Sequence, residues 1–292
     1  MGYRTARDSL NHRPRTDLAL PRFLIILLLV VISDSLVARP LGPRAPWMNP
    51  VFRPPPEPAY PLDGVTVPSY LLLESIVPES RTARWWINRH QVKRLQASMG
   101  QAEFVLLGDS LVHNFEKRGA RLWRLYYGRY KPLNLGFNSD MTQHALWRIQ
   151  NGELDGISPK VVVIMIGTNN GGLRRDPPHA TAAGIRSIVE EIRVRLPTTR
   201  ILLLGIFPRG KLPDHPLRQL NAQVNELLPS LADGDVVHYL DISEQFLDEK
   251  GTLQRDIMFD FLHPSVRGYQ IWAEAINPTV YRLMRSPPLA TE

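Results

Sequence analysis

The sequence predicts an α/β fold: a three-layer, doubly wound sandwich around a central, parallel, five-stranded sheet. The continuous apolar runs VVVIMIG (161–167) and ILLLGIF (201–207) do not alternate with polar residues, which indicates strands buried on both faces. From residue 83 onward, segments with helical patterns alternate with such runs. This alternation is typical of parallel sheets whose chemistry lies at the carboxyl ends of the strands.

The elements follow one another at regular spacing, and no internal repeat is present. The predicted strands cover residues 103–108, 133–136, 161–167, 200–207 and 236–242. The predicted helices cover residues 83–99, 120–130, 141–151, 180–196, 217–231 and 265–284. We therefore predict one α/β domain over residues 63–287, followed by a short tail at 288–292.

The first 38 residues predict an export signal. Five arginines precede a ten-residue apolar run at 23–32, and small residues that suit a cleavage site follow it. Such a run fits a signal peptide and is shorter than the roughly 20 residues that span a bilayer. Extended to residue 38, the run contains one aspartate, so a cleaved signal and an uncleaved membrane anchor through residues 23–38 both stay open.

A proline-rich linker is predicted at residues 39–62. Nine prolines lie between residues 40 and 61, and such a segment forms an extended, semi-rigid spacer instead of a helix or a central strand. The spacer would hold the catalytic domain away from the leader. We therefore expect an exported protein that is periplasmic, extracellular or anchored by its N-terminus.

Composition excludes several classes of function. The chain has no cysteine, which excludes disulfides, thiolate catalysis and cysteine-based zinc sites. Its net charge is +7, but residues 1–53 carry +5 of it and residues 54–292 carry only +2. The body of the chain therefore lacks the basic stripe of a nucleic-acid-binding protein, and no nucleic-acid partner is expected.

Two segments far apart in the sequence together predict a serine nucleophile. Ser110 lies in GDSLV, where the first predicted strand ends, and Asp260 and His263 lie in DFLHP. A serine hydroxyl is a weak nucleophile unless a base takes its proton and a third group orients that base. Pro264 disfavours helical geometry at His263, so the Asp–His pair is predicted in a loop where the carboxylate can reach Nδ1 while Nε2 faces Ser110.

Candidate oxyanion donors follow three predicted strands. The backbone N–H of Ser110 lies at the start of a helical turn, and Gly136 permits the close approach of a ligand to its own N–H. The side-chain amide of Asn169, after the third strand, is the third candidate, and Gly171 and Gly172 are interpreted as leaving room for substrate.

Competing structural interpretations exist for several of these residues. Asp109 and Ser110 also suit a helix N-cap, and Asp140, with Gln143 three residues later, matches a capping pattern. Asp256 is a rival orienting acid, but it lies seven residues before the histidine.

Together these segments resemble the SGNH, or GDSL-type, hydrolase family. The block I serine, block II glycine, block III asparagine and block V histidine of that family match Ser110 in GDSLV, Gly136 in NLGFNSD, Asn169 in IGTNN and His263 in DFLHP, with Asp260 as the triad acid. Residues 104–283 are especially similar to the catalytic subunits of intracellular platelet-activating-factor acetylhydrolases and their bacterial relatives. Many relatives have a second glycine soon after the block II glycine, where this chain has FNS.

The resemblance implies a serine esterase that works through an acyl-enzyme and needs no metal or organic cofactor. We expect a small-acyl ester as substrate. The first hypothesis is acetyl groups on a glycan, and the second, which the resemblance suggests, is an acetylated lipid or lysophospholipid. A catalytically inactive domain that binds glycans or partners is the third hypothesis, and homodimerisation stays open. The adjacent Trp85 and Trp86 either line one wall of the site or pack in the interior.

Overall fold

The computed structural model describes residues 74–287 and 289, so the leader, the linker and most of the tail lie outside the described residues. Its centre is a five-stranded sheet in the order β2-β1-β3-β4-β5 with every neighbouring pair parallel. The predicted α/β sandwich around a five-stranded parallel sheet is therefore confirmed. The strands are β1 Phe104–Gly108, β2 Pro132–Gly136, β3 Val161–Met165, β4 Arg200–Leu204 and β5 Val237–Leu240.

Helices cover both faces of this sheet. All six predicted helices form, and the helical turn expected at Ser110 is a four-residue helix that follows β1. The helices are α1 Arg84–Ser98, α2 Ser110–His113, α3 Ala120–Tyr127, α4 Thr142–Arg148, α5 Pro178–Arg195, α6 Pro216–Leu227 and α7 Val266–Arg285.

The strand side chains alternate between two apolar cores. Val105, Leu107 and Ile164 belong to the core on one face, which α1, α4, α5 and α6 complete. Phe104 and Leu106 point to the other face, where aromatic residues of α3 and α7 join them. Burial on both faces explains why the strands are continuous apolar runs, because neither set of alternating side chains meets water.

The ends of β3 and β4, both earlier than their apolar runs predict, have visible causes. After β3, Gly167 has a φ of 126°, which turns the chain out of the sheet. After β4, the backbone N–H of Ile206 donates to Asn225 Oδ1 at 2.7 Å, and the Ile206 carbonyl accepts from Asn225 Nδ2 at 3.0 Å. A side chain of α6 thus replaces the neighbouring strand as the backbone's partner, and the loops that leave the sheet become free to form a site.

Candidate active site

The structure brings the three predicted triad residues together above the carboxyl end of β1. Ser110 Oγ lies 3.0 Å from His263 Nε2, and His263 Nδ1 lies 2.7 Å from Asp260 Oδ2. With the Nδ1–H tautomer, the serine hydroxyl donates to the imidazole and the imidazole donates to the carboxylate. This is the order of contacts that proton transfer from serine to histidine requires.

A tight turn holds the acid and the base against each other. Asp260 Oδ1 accepts hydrogen bonds from the backbone N–H groups of Leu262 and His263 at 3.1 and 2.7 Å. Phe261, between them, has a left-handed φ of 60°, which folds the segment tightly enough for Asp260 to reach the imidazole. Burial raises the pKa of Asp260, but these backbone bonds and the His263 ring outweigh it, so the pKa lies below its usual value. The carboxylate is therefore ionised at neutral pH.

Ser110 begins α2 immediately after the first strand. Asp109 accepts a hydrogen bond from Leu111 N–H at 2.9 Å, so the predicted helix-capping role belongs to Asp109 and leaves the Ser110 side chain free for chemistry. A Cβ at Gly108 would lie 2.2 Å from the Met165 carbonyl oxygen, so this glycine is required by packing between strands. Ser110 N–H is at the first position of a helix, where backbone donors lack helical partners.

The structure corrects the prediction for Gly136. Its N–H donates to Asn134 Oδ1 at 2.9 Å inside the protein, so this donor is not available to an oxyanion. The glycine is required for a different reason: a Cβ there would lie 2.1 Å from the backbone nitrogen of His113. The prediction of Gly136 as an oxyanion donor is therefore wrong.

A donor that the sequence interpretation missed lies three residues later. Ser139 has a left-handed φ of 60°, and within the described part of the chain its N–H has no hydrogen-bond partner. The next residue, Asp140, accepts a hydrogen bond from Asn169 Nδ2 at 3.0 Å through its carbonyl oxygen. This contact fixes the Asn169 amide beside Ser139 and uses only one of its two N–H groups. The other N–H of Asn169 and the backbone N–H of Ser139 are therefore two neighbouring donors without partners in the described residues.

Comparison with known proteins agrees with this geometry. Residues 106–271 match the GDSL-like lipase/acylhydrolase family. The chain belongs to this family. The α1 subunit of human platelet-activating factor acetylhydrolase IB is 38% identical over 200 residues, which cover 68% of this chain and 84% of the human subunit. The α2 subunit from rat is 36% identical over 207 residues, covering 70% and 86% of the two chains.

Solved structures share the fold of this GDSL-like hydrolase. A GDSL-like lipase from Bacteroides thetaiotaomicron superposes with a TM-score of 0.55 at 17% identity, covering 67% of this chain and 97% of that one. The acetylxylan esterase Axe2 from Geobacillus stearothermophilus gives a TM-score of 0.50 at 20% identity, covering 67% and 100%. Family membership makes the protein a carboxylic-ester hydrolase.

The two glycines after Asn169 serve the packing of this hydrolase and not the space for its substrate. A Cβ at Gly171 would lie 2.1 Å from Leu220 Cδ2, and one at Gly172 would lie 2.3 Å from Arg209 Nη1. Arg209 uses the space at Gly172 to donate to the Thr168 carbonyl at 3.0 Å. The expectation that these glycines leave room for substrate is wrong, since protein atoms fill that room and brace the asparagine loop.

A buried ionic cluster lies beneath residues 137–140, the oxyanion loop, which carries Ser139. Asp140 is fully buried and accepts from Arg148 Nε and from Trp86 Nε1, both at 2.8 Å, and Arg148 also pairs with Glu153. Burial raises the pKa of Asp140 to about 6, while the arginine opposes that rise. The residue at the N-cap of α4 is Met141, so the predicted capping role of Asp140 is wrong. Its carboxylate anchors the loop from below instead.

The two adjacent tryptophans have different roles. Trp86 packs in the interior as a donor to Asp140, whereas Trp85 is 43% exposed, with its ring centroid 6.4 Å from that of His113. His113 lies one turn after Ser110 on α2, and burial together with nearby cations lowers its pKa to about 3. The exposed indole of Trp85 therefore lies next to a neutral imidazole that is one helical turn after Ser110.

The alternative acid and a metal-assisted site find no support in the described residues. Asp256 pairs with Arg267, and the imidazole of His263 takes Asp260 as its acidic partner. No group of three or more histidine, aspartate or glutamate side chains within residues 74–287 is arranged to hold a metal ion.

Proposed function

We propose that this hydrolase removes acetyl groups from an ester of a polar alcohol through a serine acyl-enzyme. Ser110 attacks the ester carbonyl while His263 takes its proton, and Asp260 stabilises the imidazolium that forms. The alcohol leaves with the proton held by His263, and water then releases acetate by the reverse sequence. The observation that carries this proposal is the continuous contact from Ser110 Oγ to His263 to Asp260, at 3.0 and 2.7 Å.

Three donors are proposed to hold the oxyanion of the tetrahedral intermediate. They are the N–H of Ser110, the N–H of Ser139 and the side-chain amide of Asn169. Fixed donors of this kind cost no reorganisation when charge develops, and losing one typically lowers turnover about 10²–10³-fold. Ser139 takes the position in this set that the sequence alone assigned to Gly136.

An acetylated glycan is the first candidate substrate. Trp85 on one side and Phe259 on the other are 43% and 39% exposed, and the Phe259 ring centroid lies 6.1 Å from that of His263. Trp85 and Phe259 therefore offer partly exposed aromatic surface for the apolar faces of sugar rings. The export leader predicted at residues 1–38 agrees with a glycan outside the cytoplasm as substrate.

An acetylated phospholipid is the second candidate, and one observation favours it. The human relative that is 38% identical is named as a subunit of platelet-activating factor acetylhydrolase. Within the described residues no helix is long and apolar enough to cross a membrane.

Acetate release decides between the two substrates. Purified enzyme is incubated with acetylated xylo-oligosaccharide or with acetylated phospholipid at equal ester concentration, with Ser110→Ala as the inactive control. We expect at least tenfold higher kcat/KM on the glycan, and we expect Trp85→Ala to raise KM for the glycan far more than for p-nitrophenyl acetate. Faster turnover of the phospholipid, with Trp85→Ala without effect on the glycan, would reject the glycan.

Export is proposed from the leader and is tested separately. The full chain and a chain lacking residues 1–38 are produced in a bacterial host, and esterase activity is measured in cytoplasmic, membrane and exported fractions. We expect the full chain to leave the cytoplasm and the shortened chain to stay there. Recovery of the full chain in the cytoplasm at its original mass would contradict export.

A further inference from the structure

Arg81 precedes α1, outside residues 106–271 that match the family, yet its side chain reaches the oxyanion loop. Its Nη1 donates to the carbonyl oxygen of Asn138 at 2.7 Å and lies 3.5 Å from Asp140 Oδ1. The guanidinium carbon lies 5.6 Å from the centroid of the Trp85 ring, which supports it from the other side. A charged group thus binds the backbone of the loop directly.

The carbonyl that Arg81 binds belongs to the same peptide unit as the N–H of Ser139. No described peptide bond is cis, and in a trans peptide the C=O and N–H point in opposite directions. An arginine on the Asn138 oxygen therefore fixes the direction of the Ser139 N–H on the other side. A charged donor on a carbonyl also polarises the amide, which makes its N–H a stronger donor.

A second arginine of the same segment provides a contrast. Arg89 Nε donates to the Gly136 carbonyl at 2.9 Å, but the N–H of that peptide unit, on Phe137, already donates to Gly108 O at 3.1 Å. Arg89 therefore braces the loop without acting on a free donor. Arg81, in contrast, binds the Asn138–Ser139 peptide, whose N–H has no partner in the described part of the chain.

We propose that Arg81 is a positioning residue of the oxyanion hole, which aims and polarises the Ser139 N–H through the shared peptide. This inference rests on the oxyanion role proposed above for Ser139. On the other side of Ser139, the Asn169 side chain donates to the carbonyl oxygen of Asp140 at 3.0 Å, so the loop is fixed on both sides of Ser139. The hydrogen bond from Ser139 N–H to the substrate oxygen strengthens only as negative charge develops on that oxygen. Arg81 therefore acts on turnover more than on ground-state binding.

The test compares three variants, Arg81→Met, Arg81→Lys and Arg89→Met, with the exposed control Arg84→Met. Two quantities are measured for each protein: the rate of p-nitrophenyl acetate hydrolysis and the affinity for methylboronic acid, which forms a tetrahedral adduct with serine. We expect Arg81→Met to lower kcat about 10–100-fold, below the loss of a whole donor, with KM within about threefold of wild type. Boronate affinity should fall in parallel, and Arg81→Lys should recover part of both. Arg84→Met should match wild type.

Thermal unfolding separates positioning from general support of the loop. Arg81→Met and Arg89→Met both remove a brace, so we expect both to lower Tm, with the larger fall in kcat for Arg81→Met. Equal falls in kcat for the two variants, unchanged kcat in Arg81→Met, or a fall in kcat with unchanged boronate affinity would each overturn the proposal. The artificial ester makes the outcome independent of the natural substrate, so failure here differs from failure of the glycan assignment.

Discussion

At the scale of single residues, the oxyanion loop contains a strained position. Ser139 has a φ of 60°, a region that costs a non-glycine residue roughly 1 kcal/mol and that glycine adopts freely. Its side chain is exposed, so no packing opposes a change of residue there. The strain persists because Arg81 and Asn169 hold the carbonyls on either side.

Ser139→Gly is expected to raise the free energy of unfolding by up to about 1 kcal/mol while keeping the backbone N–H and the activity. Urea unfolding and p-nitrophenyl acetate turnover measure the two effects. Ser139→Ala is the matched control, since it removes the hydroxyl but keeps the strain, and it should leave turnover unchanged. A loss of turnover in Ser139→Ala would assign the function to the hydroxyl instead of the N–H.

Asp109 predicts a pH dependence of stability. Burial raises its pKa to about 7, and its Oδ2 is buried without a hydrogen-bond partner among the described residues. The folded state therefore holds this proton more tightly than the unfolded state, so stability falls as pH rises from about 4 to about 7. Asp109→Asn removes this titration and still offers an oxygen to Leu111 N–H.

We expect the free energy of unfolding of Asp109→Asn, relative to that of the wild type, to increase by up to about 4 kcal/mol between pH 4 and pH 8. Urea unfolding of both proteins at several pH values measures it. A constant difference across this range would mean that Asp109 does not titrate in the folded protein.

The contact of Ser110 with His263 and of His263 with Asp260 was predictable from the sequence, whereas the free N–H of Ser139 was not. The residue types serine, aspartate and histidine, and their positions at the ends of predicted elements, together indicate a nucleophile, an acid and a base. Which backbone N–H is free depends on partners distant in the fold, and the Asn134 side chain removes Gly136 from the site. Glycines mark close approaches, but the sequence does not tell whether the approaching group is substrate, as expected at Gly171, or protein, as found there.

At the scale of elements, the succession of helices and strands along the chain follows from the pattern, but the irregular turns do not. The four-residue α2 and the π-helical turns at Ile149–Glu153 and Asn170–Arg174 are too short to show a periodicity. In the second π-helical turn, the side chain of Asn170 accepts a hydrogen bond from the backbone N–H of Thr142 at 3.0 Å, which ties the turn to α4.

The packing of α5 against α4 depends on Gly184. In an isolated helix, a change from glycine to alanine gains about 1 kcal/mol. Here a Cβ would lie 2.3 Å from Thr142 Oγ1 and 2.7 Å from the Ser75 carbonyl oxygen, so we expect Gly184→Ala to destabilise the protein by about 1–3 kcal/mol. Gly128→Ala is the matched control, since its Cβ meets nothing within 4 Å and should be neutral or stabilising. Denaturant unfolding of both variants measures the difference, and a stabilised Gly184→Ala would show that the helices can separate at no cost.

At the scale of the whole molecule, residues 74–83 tie distant loops of the catalytic domain together. Ser75 is fully buried, donates to Asp176 Oδ2 at 2.8 Å and accepts from Thr142 Oγ1 at 3.0 Å. Glu79 N–H donates to the Gln143 carbonyl at 3.2 Å. With Arg81 on Asn138, these contacts join the start of the described chain to both loops that flank the site, although the segment precedes the region that matches the family.

Truncation separates the linker from this segment. A chain that begins at residue 63, the predicted start of the domain, keeps all these contacts and should retain wild-type turnover of p-nitrophenyl acetate. A chain that begins at residue 84 lacks Ser75 and Arg81, the partners of Thr142 and Asn138, and each lost hydrogen bond costs about 1 kcal/mol. It also lacks the proposed positioning of Ser139 by Arg81. We expect a lower Tm and at least a tenfold lower kcat. If the shorter chain retained full turnover, the site would be organised by the family-matched region alone, and residues 74–83 would have no part in it.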